Sequence, residues 1–190
     1  MDQAFEKIAT KCHHWVKTKS EDIGLNTETQ FYNFLKTDFH FYQKQFLRIH
    51  EATQNFQLKF PEVFYIANYL SSPTLYYPLL MAPLKPDDDD KTTQNKIRLV
   101  SKYLDIFYVI RKTNGRGVSH STIRTAMYNL IKQIRDCSID ELNERMKKFL
   151  KVQLTEKNLF ERDNGYWLGK NNKKFVKFLL ARLTSYIEQE

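Results

Sequence analysis

The stretch KTTQNKIRLVSKYLDIFYVIRK, residues 91–112, decides the fold class of this 190-residue chain. Its apolar side chains recur every three or four residues, which is the period of one face of an α-helix. The positions on that face are Ile97, Val100, Leu104, Phe107, Tyr108 and Ile110. The pattern therefore predicts a helix over residues 92–112 with this face buried.

The same period continues on both sides of this stretch. Further helices are predicted over residues 2–18, from Thr27 to near Gln54, from Pro61, after a cap at Ser119 or Ser121 as far as Ile134, after Ser138, and over 175–187. The predicted fold class is all-α, an irregular multi-helix bundle of about seven to eight helices. From residue 152 to residue 172 the pattern weakens, and a turn at 163–166 leaves room for one short β-hairpin near residues 155–171.

Capping signals predict where two of these helices begin. Thr27 and Gln30 form a T-x-x-Q capping box, and Ser138 and Glu141 form an S-x-x-E box. In each box the first side chain accepts a hydrogen bond from a free helical N–H, and the second returns to the cap residue. We therefore expect helix starts next to Thr27 and Ser138.

An acidic loop precedes the central helix. Residues 86–91 read PDDDDK, and four adjacent carboxylates repel one another and favour water. They also put negative charge in front of the 92–112 helix, where the helix dipole favours it. We predict a single helical domain over residues 1–190, with the loop at 83–91 as the place where two helical subdomains would divide.

Cysteine usage and hydropathy indicate a cytoplasmic protein. Cys12 and Cys137 lie far apart and form no C-x-x-C pair, which argues against a disulfide scaffold. No apolar run approaches the roughly 20 residues that a bilayer span needs, and the first residues lack the pattern of an export signal. We therefore expect no membrane partner.

Positive charge is concentrated in the middle of the chain. Residues 91–135 contain ten basic side chains and one acid, Asp105, a balance of +9, whereas the whole chain carries +8. The rest of the chain therefore sums to −1. Such a concentration favours a polyanionic partner such as DNA, or an acidic protein surface.

Six basic residues are the candidates for binding nucleic acid: Lys102, Arg111, Lys112, Arg116, Arg124 and Lys132. Residues 114–117, NGRG, form a turn before a helix that Ser119 or Ser121 can cap. Free N–H groups at that helix start could hold a backbone phosphate together with Arg111 and Arg116, although a solvated turn is the commoner outcome. The turn lacks the glycine pattern and the preceding strand of a nucleotide-binding loop, so no cofactor is expected.

No catalytic or metal-binding residue is predicted. Residues 12–14, Cys-His-His, are the only cluster of metal-ligand types, but adjacent residues diverge on a helix and no second cluster completes a site. Asp38 and His40, like His50 and Glu51, are too close in sequence to face each other on one helix. His120 has no nucleophile or carboxylate placed near it.

Aromatic residues offer two interpretations. Tyrosines exposed beside the basic helices could stack on bases, whereas aromatic side chains at helical spacing usually pack in a core. We expect core packing for the tyrosines concerned, which are Tyr32, Tyr42, Tyr65, Tyr69, Tyr76 and Tyr77.

Four stretches, in this order, resemble the helical middle region of GmrSD-type bacterial restriction and defence proteins. They are residues 34–42 (FLKTDFHFY), 76–81 (YYPLLM), 104–111 (LDIFYVIR) and 178–188 (FLLARLTSYIE). In that family a ParB-like nucleotide-hydrolysing domain precedes this region and an HNH-type nuclease domain often follows. This chain lacks the D-G-Q-Q-R motif of the first domain and the histidine and asparagine arrangement of the second. The resemblance therefore implies a fragment of a larger, NTP-dependent endonuclease, without catalytic residues of its own.

Three functions follow as expectations. The first is a non-catalytic linker that positions the catalytic domains of the parent protein and contacts DNA through its basic residues. The second is an interaction or homo-oligomerisation scaffold that binds no nucleic acid, with the basic face meeting an acidic surface such as residues 87–90 of another copy. The third is an enzyme whose dispersed site only folding assembles, which carboxylates and histidines converging in a deep pocket would indicate.

Overall fold

The computed structural model describes residues 12–69, 75–154 and 172–188. Within these ranges every regular element is helical: α1 Cys12–Thr18, α2 Glu28–Phe34, a π-helical segment Leu35–Phe39, α3 His40–Gln54, α4 Pro61–Tyr69, α5 Tyr76–Met81, α6 Asp90–Thr113, α7 His120–Ile134, α8 Ile139–Leu154 and α9 Lys173–Ile187. The all-α prediction is confirmed. The hairpin considered near residues 155–171 lies outside the described residues.

The chain divides into two compact units, residues 1–44 and residues 45–190. The loop at 83–91, where the sequence suggested a division, lies inside the second unit. The helices α2 and α3 and the π-helical segment between them follow one another without a break. Counted as one, they bring the number of separate helices among the described residues to eight, within the predicted seven to eight.

The long helix that starts in the first unit begins with the predicted capping box. The Thr27 side chain accepts from the Gln30 N–H at 3.2 Å, and the Gln30 side chain accepts from the Thr27 N–H at 3.0 Å. The helix ends at Gln54, as predicted. Tyr32, expected in a core, is 61% exposed, so that prediction is wrong, and Phe39 is also exposed.

The second unit is organised around α6, which spans about 36 Å. It packs against α8, α5 and α4, while α9 packs against α4 and α5 packs against α7. All six residues of its predicted inner face are buried. Tyr76 is buried as expected, whereas Tyr65, Tyr69 and Tyr77 are only partly buried.

The acidic loop serves the start of α6. The Asp89 carboxylate accepts from the Thr92 N–H at 2.6 Å, and this hydrogen bond lowers the pKa of Asp89. Asp90 pairs with Arg48, and Asp88 pairs with Lys96. The prediction that the acidic residues complement the helix start is confirmed, and three of the four carboxylates also have specific partners.

The second predicted box, at Ser138 and Glu141, is also confirmed. The Ser138 hydroxyl accepts from the Glu141 N–H at 3.3 Å, and the Glu141 carboxylate accepts from the Ser138 N–H at 2.8 Å. Ser119 occupies the cap position of α7, but its side chain makes no capping hydrogen bond and instead contacts Ser121 and Thr122. The prediction of the cap position was therefore correct, whereas the hydroxyl does not cap.

Candidate nucleic-acid interface

The six predicted nucleic-acid-binding residues lie on α6, on α7 and in the turn between them. Lys102 is exposed in the middle of α6, and Lys112 is half-buried in its last turn. Arg116 is exposed in the turn. Arg124 is half-buried in the second turn of α7, and Lys132 is exposed in the last turn.

The turn between α6 and α7 has a defined backbone. Gly115 adopts a positive φ of 68°, a conformation that costs little without a Cβ. Its N–H donates to the carbonyl of Lys112 at 3.1 Å, and the Arg116 N–H donates to the carbonyl of Arg111 at 2.8 Å. These two bonds satisfy carbonyls at the end of α6 and place Arg111, Lys112 and Arg116 around one turn.

Arg111 has a structural function at this turn. Its Nε donates to the Gly117 carbonyl at 3.1 Å, and its Nη2 is 3.4 Å from the Thr122 carbonyl. The guanidinium also lies 5.6 Å from the ring centre of Phe107. Arg111 therefore fastens α6 to the start of α7.

The structure separates Lys102 and Lys132 from this turn. Lys112 lies ten positions after Lys102 along α6, a distance of about 15 Å. Lys132 lies eight positions after Arg124 along α7, a distance of about 12 Å. The sequence predicted one basic segment, and the fold distributes it over the length of two helices.

Two interactions change the charge that this segment shows to solvent. Lys96 is buried, and its ammonium donates to Asp88 at 2.7 Å and to the Pro83 carbonyl at 2.9 Å. Asp105, the only acid of residues 91–135, pairs with Arg182 at 3.0 Å. The exposed charged side chains of the segment are thus all cations. We call them the basic surface: Lys91, Arg98, Lys102, Arg116, Lys132 and Arg135.

Arg98 was missed as a candidate. Together with Lys102, one turn further along α6, it lines a cavity of about 350 Å³ between α6 and the start of α8. Asn95, Asn143 and Asp140 line the same cavity. The i, i+4 spacing of Arg98 and Lys102 is a sequence signal that could have identified the pair.

A carboxylate cluster lies between α4, α6 and α9. Arg182 pairs with Glu62 at 3.3 Å and with Asp105 at 3.0 Å, so one guanidinium serves two carboxylates. Among the described residues, Glu62 Oε2 and Asp105 Oδ1 have no hydrogen-bond partner although both oxygens are buried. Burial and the nearby Glu62 raise the pKa of Asp105, while Arg182 acts in the opposite direction.

This carboxylate cluster borders a cavity of about 290 Å³, which Arg98 and Lys102 also line. Converging carboxylates are one part of the dispersed site that the enzyme hypothesis requires. The described lining residues include no histidine and no cysteine, and Arg182 engages both carboxylates. The arrangement therefore lacks the histidines that the hypothesis calls for.

An aromatic cavity of about 550 Å³ lies beside the carboxylate cluster. Its walls include Phe56, Phe64, Tyr65 and Tyr69, together with Thr184, Ser185 and Glu188 of the α9 end. Ser185 lines both this cavity and the one beside the carboxylate cluster. No local sequence pattern indicates the aromatic cavity, because its walls come from segments far apart in the chain.

The histidines lie on α1, α3 and α7. His13 and His14 are exposed, and the side chain of Cys12 lies outside the described residues. The His50 ring nitrogen Nδ1 is 3.0 Å from the Tyr77 hydroxyl. Within residues 12–69, 75–154 and 172–188, no three histidine, cysteine or acidic side chains group as metal ligands would.

Comparison with known proteins adds no relative to this description. No protein family, no curated protein and no solved structure matches the chain. Of the helices that the structure describes, none is long and apolar enough to cross a membrane. The resemblance of residues 34–42, 76–81, 104–111 and 178–188 to the GmrSD-type middle region stays a prediction.

Proposed function

We propose that this chain is a non-catalytic helical module that contacts the DNA backbone through its basic surface. The observation that carries the proposal is the ion pair between Asp105 and Arg182. Asp105 is the only acidic residue of segment 91–135, and this pair neutralises it. The exposed charge of this long segment is then cationic throughout. The resemblance supplies the wider setting, in which the module connects and positions the catalytic domains of a cytoplasmic bacterial defence protein.

The expected mode of binding is electrostatic and independent of DNA sequence. Each phosphate that a lysine or arginine neutralises releases condensed counterions, so the logarithm of the binding constant falls with the logarithm of salt concentration. The slope is about −0.9 for each phosphate contacted on duplex DNA. Four or five contacts would give a slope of about −4.

The first experiment measures binding of a labelled duplex of about 20 base pairs over a series of salt concentrations. We expect affinity that falls steeply with salt and that is similar for unrelated sequences. An affinity that salt does not change, or no binding at low salt, would contradict the proposal.

A triple variant locates the contact. Arg98→Ala, Lys102→Ala and Arg116→Ala remove three cations of the basic surface while leaving Arg111 and its hydrogen bonds to the turn. We expect the salt slope to fall by about 3 units. The matched control is Lys173→Ala, Lys174→Ala and Lys177→Ala, which removes three exposed cations from α9. Equal losses in the two variants would mean that only net charge matters.

A protein-binding scaffold is the second candidate, and a feature of α9 favours it. Leu180, Leu183 and Ile187 are 58%, 53% and 71% exposed and follow helical spacing, so they form an apolar stripe. The acidic loop is a poorer partner for another copy's basic surface, because Asp88, Asp89 and Asp90 already have partners in their own chain. Self-association that Leu180→Ser with Leu183→Ser abolishes, in a protein without DNA affinity, would select the scaffold.

A further inference from the structure

The aromatic cavity has a geometry that DNA backbone binding does not require. The rings of Phe56, Phe64 and Tyr65 have centres 5.7 to 5.9 Å apart, and their planes meet at 88°, 80° and 68°. Three planes at such angles form a corner, and all three rings line the cavity. Tyr69 adds a fourth ring, 5.8 Å from Tyr65.

The charges around the cavity favour a positively charged ligand. Glu188 is the only charged side chain among the described residues that line it. Arg182 lies beside the cavity, but two carboxylates, Glu62 and Asp105, offset its single positive charge. Arg98 and Lys102 line the neighbouring cavity and not this one.

The protein already places one cation against one of these rings, that of Tyr65. The Arg182 guanidinium lies 5.2 Å from the ring centre of Tyr65, within the range of a cation–π interaction. The face of an aromatic ring carries partial negative charge, and several rings around one position hold alkylated ammonium groups well. A volume of about 550 Å³ is that of a small-molecule site.

We propose that the aromatic cavity binds a small organic cation through an alkylated ammonium group. The rings of Phe56, Phe64, Tyr65 and Tyr69 contact the alkyl groups and attract the charge, and Glu188 provides the counter-charge at the rim. An anionic ligand would meet Glu188 without a compensating cation. A neutral apolar ligand would gain contact area but none of the electrostatic attraction.

The test compares a cation with a neutral molecule of the same shape. Choline and 3,3-dimethyl-1-butanol differ in one atom, nitrogen against carbon, and hence in charge. We expect choline to bind about tenfold more tightly in ligand-observed NMR or calorimetry at millimolar concentration. Nε-trimethyl-lysine serves as a second cationic probe, and its affinity relative to choline distinguishes a protein-derived group from a free metabolite.

Two variants and one control assign the binding to this cavity. Phe56→Ala removes a wall and should weaken choline binding about fivefold, and Glu188→Gln should weaken it without disturbing the core. Phe31→Ala is the control, because Phe31 and Phe56 are both 43% exposed. Equal affinity for the two isosteres, absence of binding, or an equal loss in Phe31→Ala would overturn the proposal. These results are independent of the DNA measurements, because no residue of the triple variant lines the cavity.

Discussion

The basic surface and the aromatic cavity belong to the same unit but are assembled in opposite ways. The basic surface comes from one continuous segment, residues 91–135, and its charge can be counted along the chain. The aromatic cavity combines the loop before α4, α4 itself and the end of α9. Glu62 and Arg182, which lie beside it, are 120 positions apart and still form an ion pair.

The difference shows where counting charges along a sequence is informative. A dense run of cations remains mostly exposed, because burying a charge costs several kcal/mol unless a partner compensates it. Lys96 and Arg111 nevertheless form an ion pair and a hydrogen bond within the protein, and the charge count does not reveal these partners. Counting residues along the sequence does not reveal the aromatic cavity, because the cavity forms from residues that are far apart in the chain.

The largest expected effect comes from a mutation that breaks the ion pairs beside the aromatic cavity. Arg182→Met leaves the buried carboxylates of Glu62 and Asp105 without their cation and should lower the free energy of unfolding by about 3 kcal/mol. Urea denaturation measures this loss. Lys177→Met, an exposed change on the same helix, is the control and should have little effect. A loss no larger than that of the control would show that the carboxylates do not depend on Arg182.

The next prediction separates the two kinds of cation on α6. Lys96→Met leaves the Asp88 carboxylate without its cation and should cost about 2 kcal/mol of stability without changing DNA affinity. Lys102→Met should cost less than about 0.5 kcal/mol and reduce the salt slope of binding by about 1 unit. Parallel denaturation and binding measurements test both statements. If Lys96→Met weakened DNA binding as much as Lys102→Met, the distinction between a structural and a surface cation would fail.

A smaller effect is expected at the acidic loop. Asp89→Ala removes the side-chain cap of α6 and should lower the free energy of unfolding, by less than Lys96→Met does. Asp87→Ala changes an exposed neighbour and serves as the control. Thermal or urea unfolding of both variants would decide whether the four carboxylates act individually or only as a charged loop.

The smallest effect is a dependence on pH. Burial and Glu62 raise the pKa of Asp105, so the folded protein binds its proton more tightly than the unfolded chain does. The stability linked to this proton is present at low pH and is lost as pH rises through the folded-state pKa. The stability of the parent relative to Asp105→Asn should therefore fall as pH increases above the ordinary aspartate range. Urea denaturation at several pH values tests this, with Asp87→Asn expected to show no such trend.

Much of the fold could be predicted because its signals are local. The apolar period of residues 92–112 and the capping boxes at Thr27 and Ser138 each depend on residues within a few helical turns. The prediction that Tyr32 packs in a core was wrong. Helical spacing identifies an apolar stripe on a helix but does not show whether another element covers that stripe. The six candidate cations were predicted by type and position, yet only the structure shows that Arg111 holds a turn and that Arg98 accompanies Lys102.

The helical class, the helix starts next to Thr27 and Ser138 and the concentration of positive charge at residues 91–135 all follow from the order of residues along the chain. These properties depend on backbone periods and on residue types that are close together in the chain. Which charges remain in water and which rings share a cavity depends on how the helices pack together. The physical reason is that desolvation and pairing depend on distance in space, as when Arg182 approaches Asp105 from 77 positions away.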